Sequence, residues 1–177
     1  MKYDKKYWIP FILTVIVILA DQITKAMIVH AIPQNTIGYS FLNGFLRIIH
    51  VANTGVAFSM GYSWPLVIRR LCFGIVPLIV IGLVVAVYFR NKTFTNVQRW
   101  AICGIIGGGI GNIIDRFFRA EGVVDFIDVK FFGIFGMERW PTFNVADAAV
   151  VVCGIMLLIS FIVVTVKEKK SSWGNYG

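Results

Sequence analysis

Four aspartates, Asp21, Asp115, Asp125 and Asp147, are the residues of this 177-residue chain whose type and spacing could do chemistry. Three of them lie within or at the ends of long apolar stretches, and Asp125 falls in the short connection between the last two. A carboxylate at the centre of a bilayer costs roughly 2.5–3.5 kcal/mol on insertion scales, so its retention points to function before fold. Asp125 is the sharpest case. In Val123-Val124-Asp125-Phe126-Ile127 it is enclosed by apolar residues on either face of an extended segment. Burial there raises a carboxyl pKa, and beside a second carboxylate the two would share a proton. One member of such a pair activates water as a base while the protonated other polarises a carbonyl. That chemistry hydrolyses amides with no metal and no cofactor.

Competing chemistries find little to build on. Ser59 and Ser63 lack a well-placed histidine, and Cys72, Cys103 and Cys153 each sit alone among apolar neighbours. His30 and His50 are the only histidines, so a metal site lacks ligands. Structural readings of the aspartates stay open beside the catalytic one. Asp21 and Lys25 form an i,i+4 pair that would let a span carry charge, and Asp115–Arg116 reads as a helix-end pair. With Asn144 as N-cap, Asp147 falls at the capping-box position, where the helix dipole favours a carboxylate. Asp128, near Lys130, reads as a solvated charge. A proton relay in a small transporter would use similar residues, but it prefers charges near the midplane and an internal repeat, and neither is apparent. A non-enzymatic assembly or lipid-binding factor is the third reading, with the aspartates merely paired to Lys25 and Arg116.

The elements that must position these residues are membrane spans. The chain is 58% hydrophobic with a mean hydropathy of +0.77, values that belong to an integral membrane protein. A span needs about 20 residues. Four stretches qualify, at 8–29, 67–89, 98–117 and 143–166. The net charge of +8 does not indicate nucleic acid, because the basic residues cluster at span ends. Lys2, Lys5 and Lys6 precede span one, Arg90, Lys92 and Arg99 bracket the loop between spans two and three, and Lys167, Lys169 and Lys170 follow span four. The positive-inside rule makes that side cytoplasmic, with both termini on it. The first span reads as retained, since no small-x-small cleavage site follows it. At 1.5 Å rise per residue, Asp21, Asp115 and Asp147 lie about 20, 22 and 28 Å from the cytoplasmic ends of their spans, all in the outer third of the bilayer. Asp125 follows Asp115 by ten residues, too few for another crossing. The four carboxylates can converge.

The fold class expected is therefore an all-α polytopic membrane protein of four transmembrane helices, with a small extracytoplasmic sheet or hairpin after the first. One four-span domain covers 1–170 with an insert at about 33–66, and 171–177 reads as a disordered tail. In the insert, Pro33-Gln34-Asn35, Ser40 to Gly44 and Asn53-Thr54-Gly55 read as turns, and Phe45 to Val51 suits a strand. Span two, with Pro77, reads as scaffold. Gly104/Gly108 and Gly107/Gly111 in span three read as close helix packing.

Five ordered blocks carry a family resemblance. Asp21-Gln22-Ile23-Thr24-Lys25, Asn53-Thr54-Gly55-Val56-Ala57-Phe58, Gly108 to Arg116, Val123-Val124-Asp125-Phe126 and Phe143-Asn144-Val145-Ala146-Asp147 resemble the successive signatures of the lipoprotein signal peptidases (signal peptidase II). The resemblance implies a bacterial aspartic endopeptidase of the cell membrane. It would remove signal peptides from diacylglyceryl-modified prolipoproteins, cutting before the lipidated cysteine. It implies Asp125 and Asp147 as the catalytic pair, with Asn53, Asn112, Arg116 and Asn144 lining the substrate cleft. Asp21, Lys25 and Asp115 would support the polar core. It further implies a monomer among membrane lipids, an active site toward the extracytoplasmic face, and inhibition by globomycin-like antibiotics. The connection from Lys130 to Trp140 lies outside the blocks.

Overall fold

The computed structural model describes residues 4–54, 65, 67–68 and 71–174, with backbone alone over 171–174. Expectations that fall on Gly55 to Phe58, Ser59, Ser63 and residues 175–177 lie outside the described residues. Helix α1 (Lys5–Trp8) leads through Pro10 into α2 (Phe11–Ala31). A π-helical turn, Leu71–Ile75, opens α3 (Val76–Arg90), with Pro77 just past the junction; it has no N–H for the Phe73 carbonyl four residues back, which accepts from Arg116 instead. Helix α4 (Asn96–Phe118) starts from a capping box of Thr95 and Gln98, and α5 is Val145–Gly174. The stretch 171–174, read from sequence as tail, thus continues as helix. Among the described residues, four segments are long and apolar enough to cross a membrane: Lys5–Ala31, Leu71–Arg90, Asn96–Phe118 and Val145–Lys170.

The bundle is apolar outside and carries buried polar residues inside. Leu19, Ile23, Val80, Leu83, Leu158 and Ile162 all face outward, while Asp21, Lys25, Asp115 and Asn144 are completely buried. Lipid, as solvent, accepts the first group and would penalise the second. Helix α4 is the central helix, packed between α2 and α5. Its glycines permit this, as their spacing implies. A Cβ at Gly108 would strike the Ala146 carbonyl oxygen and the Val150 side chain of α5. At Gly111 it would stand 2.8 Å from Asp21 Oδ2. A backbone oxygen cannot rotate aside, so Gly108→Ala is expected to cost about 1–3 kcal/mol through forced separation of α4 and α5. Thermal unfolding in detergent would read this as a lowered midpoint, and an unchanged midpoint would contradict it. At the end of α4 away from Asp115, Arg99 is buried under the Tyr7 ring and donates to the Tyr88 and Asn91 carbonyls.

The sheet is larger than the small element expected after the first span, so the all-α expectation covers only the spans. It has four antiparallel strands in the order β1-β2-β3-β4: β1 (Ile37–Phe41), β2 (Leu46–Asn53), β3 (Val123–Ile134) and β4 (Met137–Arg139). The expected strand at Phe45 to Val51 corresponds to β2, and Asn53 ends that strand. Half of the sheet, however, comes from after α4, in the stretch read as a connection. The physical reason is the run Val123 to Phe132, rich in β-branched and aromatic residues, which pairs with β2 and so satisfies the backbone of both. Phe135 and Gly136, both at positive φ, close the β3–β4 hairpin in the primed-turn manner. The hairpin brings Arg139 onto Asp128 at 2.6 Å, so Asp128 is a buried ion-paired group and not a solvated charge.

Candidate active site

Helix α2 contributes a buried ion cluster. Asp21 and Lys25 are one turn apart on the face turned to α4, and Lys25 Nζ lies 2.8 Å from Asp21 Oδ2. The same ammonium lies 2.8 Å from Asp115 Oδ2 on α4. Arg119, one turn beyond Asp115, meets its other oxygen at 2.9 Å. Two carboxylates and two cations thus balance, as buried charges must. Gln22 ties the cluster together, donating to Asp21, Asp115 and the Gly111 carbonyl at 3.1, 3.2 and 3.0 Å. The backbone N–H groups of Ala146 and Val124 donate to Asp21 and Asp115, which anchors the start of α5 and the start of β3 to the same cluster.

Above the cluster lie the two remaining aspartates. Backbone pairing of β3 with Phe143, by Ile127 N to Phe143 O at 2.8 Å and Phe143 N to Ile127 O at 3.1 Å, lays the strand beside the first residues of α5. Asp125 is thereby brought to Asn144, whose Nδ2 donates to Asp125 Oδ1 at 2.7 Å. Asn53, at the end of β2, pairs with Val123 and reaches diagonally to Asp125 Oδ2 at 3.0 Å. Asp147 has two donors as well. Asn112 of α4 donates from Nδ2 to Asp147 Oδ1 at 2.7 Å, and the Asn144 backbone N–H donates to Oδ2 at 3.2 Å. Asn144 Oδ1 in turn accepts from Asp147 N at 2.9 Å, which completes the capping box read from the sequence. The cap and the site are the same residues.

Asn112 and Asn144 also meet each other, Nδ2 of Asn144 donating to Oδ1 of Asn112 at 3.0 Å. A network of amides therefore joins Asp125 to Asp147 across β3, α4 and α5. Burial pushes the Asp125 carboxyl up to about 7; the negative charge of Asp147 acts the same way, against the lowering effect of the Asn53 and Asn144 amides. A carboxyl that titrates near neutrality beside a second carboxylate can hold and release a proton during a reaction. Arg116 donates to the Phe73 carbonyl at 2.7 Å with its guanidinium over that ring, and its charge also interacts with Asp147, Asp125 and Asp115.

All nine residues singled out by sequence are placed; eight of them are joined by the hydrogen bonds and ion pairs above, and Arg116 interacts electrostatically with Asp147, Asp125 and Asp115. Gln22 and Arg119 were missed. Arg119 stands four residues after Asp115, so the helical rule that found Asp21–Lys25 would have found it. Gln22 stands beside Asp21 within a span, where a polar side chain needs a partner.

Two carboxylates joined by amides, in a chain with four helices apolar enough to cross a membrane, mark the candidate site of a membrane protein. Comparison with known proteins narrows the class. Residues 13–163 match the family model described as signal peptidase (SPase) II. The chain is 55% identical over 161 residues to the lipoprotein signal peptidase of Treponema pallidum (strain Nichols), covering 91% of this chain and 87% of that one. It is 47% identical over 170 residues to the lipoprotein signal peptidase of Treponema denticola, covering 96% and 98%. A solved structure described as a bacterial membrane enzyme superposes with a TM-score of 0.74 at 27% identity, covering 88% of each chain. The chain belongs to the signal peptidase II family and is a multi-pass membrane protease.

Proposed function

We propose that this protein is an aspartic endopeptidase that removes signal peptides from diacylglyceryl-modified prolipoproteins, with Asp125 and Asp147 as its catalytic pair. The observation that carries the reading is Asn144, which binds Asp125 through its side chain and Asp147 through its backbone, holding both acids in one site. Asp147 takes a proton from water as the hydroxyl oxygen bonds to the scissile carbonyl carbon. Asp125 gives its proton to the carbonyl oxygen, and a neutral gem-diol results. The proton on Asp147 then passes to the amide nitrogen as the C–N bond breaks, and Asp125 recovers a proton from the diol. Asn53, Asn112 and Asn144 direct their amides to the acids, so their role is to hold the pair more than to grip substrate. The basic clusters at the far ends of the spans support a reading with both termini in the cytoplasm and the acids toward the extracytoplasmic face. Substrate would arrive laterally from the lipid and be cut before its lipidated cysteine.

Purified protein incubated with a diacylglyceryl-modified prolipoprotein tests this, with mass spectrometry to locate the cut. Cleavage directly before the modified cysteine is expected. Cleavage elsewhere, or of the unlipidated precursor at the same rate, would contradict it. The pH dependence is a further expectation. The raised Asp125 keeps its proton up to about 7, so the protonated acid is present below that pH and lost above it. The turnover rate should fall about tenfold per pH unit on the alkaline side. A profile flat from about pH 6 to about pH 9 would separate Asp125 from proton donation.

A further inference from the structure

The Lys25 ammonium has three N–H groups and three acceptors: Asp21 Oδ2 at 2.8 Å, Asp115 Oδ2 at 2.8 Å and Asn112 Oδ1 at 2.9 Å. The first two are the expected counter-ions. The third belongs to the amide that holds Asp147. The two ends of a carboxamide have nearly the same shape, so its partners decide which end faces which. In the observed orientation Asn112 Oδ1 accepts from Lys25 and from Asn144, and its NH2 is left to face Asp147 at 2.7 Å. Turned over, the amide would set its NH2 against an ammonium and a second NH2, and its oxygen against the Asp147 carboxylate. Three favourable bonds would become three repulsions.

Resting on the catalytic reading above, we propose that Lys25 is a positioning residue for the reaction: acting through Asn112, it presents an N–H donor to Asp147 and aims that carboxylate at the water it activates. The role is distinct from charge balance. Balance needs only that the charges of Asp21 and Asp115 be matched, whereas orientation needs a donor at Asn112 Oδ1 in particular. The ion cluster on α2 is then the foundation of the catalytic pair, although neither acid of that pair touches it directly. The geometry also accounts for the use of a lysine, whose three tetrahedral donors serve three acceptors on two helices.

The two roles separate by experiment. Lys25→Met alone leaves Asp21 buried without its counter-ion and Asp115 with Arg119 only, and loss of folding would be uninformative. The combined variant Asp21→Asn, Lys25→Met removes one charge of each sign, keeps the volume and leaves Asp115 paired with Arg119. The expected result is a protein that inserts and purifies, with kcat lowered about 10²-fold and KM little changed, because a misaimed group costs rate more than binding. Recovery of the wild-type rate in this variant would overturn the proposal and leave charge balance as the whole role. A second measurement covers failure of that variant to fold. Since Lys25 acts through Asn112, Lys25→Gln, whose side chain is one bond shorter and so keeps an N–H for Asp21 but falls short of Asn112 Oδ1, should lose activity in the wild-type background but change it less than about threefold in an Asn112→Leu background. Equal losses in both backgrounds would overturn the proposal. Asp125→Asn and Asp147→Asn run in the same assay mark the other failure. If those two retain turnover, the catalytic reading falls, whatever Lys25 does.

Discussion

Replacing Asp125 by Asn, or Asp147 by Asn, is expected to lower turnover of a lipidated prolipoprotein by about 10⁴-fold while the protein still inserts and purifies normally. The magnitude follows from the roles. Each substitution keeps the side-chain shape and removes one proton-transfer group, and the two groups serve in the same step. The structural cost should be small. At Asp125, Asn53 and Asn144 offer two N–H donors, and an Asn there still accepts one of them while no longer burying a charge. At Asp147 an Asn can still accept from Asn112 or from the Asn144 backbone, so the start of α5 keeps part of its cap. The check is single-turnover cleavage alongside thermal unfolding in detergent. Ordinary turnover in either variant would remove that residue from the chemistry.

Asn144→Ala is expected to have the next largest effect, and on two properties together. Stability should fall by about 1–2 kcal/mol, since Asp147 N loses its cap acceptor. Activity should fall at least about 10²-fold beyond that, because Asp125 Oδ1 and Asn112 Oδ1 lose the amide that spans them. Asn144→Ser divides the two effects. Its hydroxyl can cap α5, but it is too short to reach Asp125 across to β3. The serine variant should recover most of the lost unfolding midpoint and little of the lost rate. Recovery of both would reduce Asn144 to a helix cap.

That double role explains what was legible in the sequence and what was not. Asp125 stood out because nothing local accounts for a carboxylate amid Val123, Val124, Phe126 and Ile127. Asp147 had a complete local explanation as a capping-box acid, and that explanation holds in the structure, yet it does not compete with catalysis. Spans were readable because each must satisfy its own backbone within lipid, a local requirement. The second half of the sheet was not. Strand β3 pairs with β2, which lies beyond two intervening helices in the chain, and a non-local partner leaves no periodic trace in either segment. The Lys25–Asn112 bond shares that difficulty, since it links α2 to α4 and only the three-dimensional packing of Gly111 against Asp21 brings them together. Arg116 shares it too, since nothing in the sequence pointed to the Phe73 carbonyl that its side chain reaches from a different helix.

Whether a single water molecule can serve both acids is the point on which every step of the mechanism turns. A crystal structure of the detergent-solubilised protein, at a resolution that places ordered solvent, measures it directly. One water hydrogen-bonded to a carboxyl oxygen of each residue is the expected result, with those oxygens no more than about 5.5 Å apart. Carboxyl groups separated beyond that span, or turned to different sides of the sheet, would mean that the residues cannot act as one hydrolytic pair.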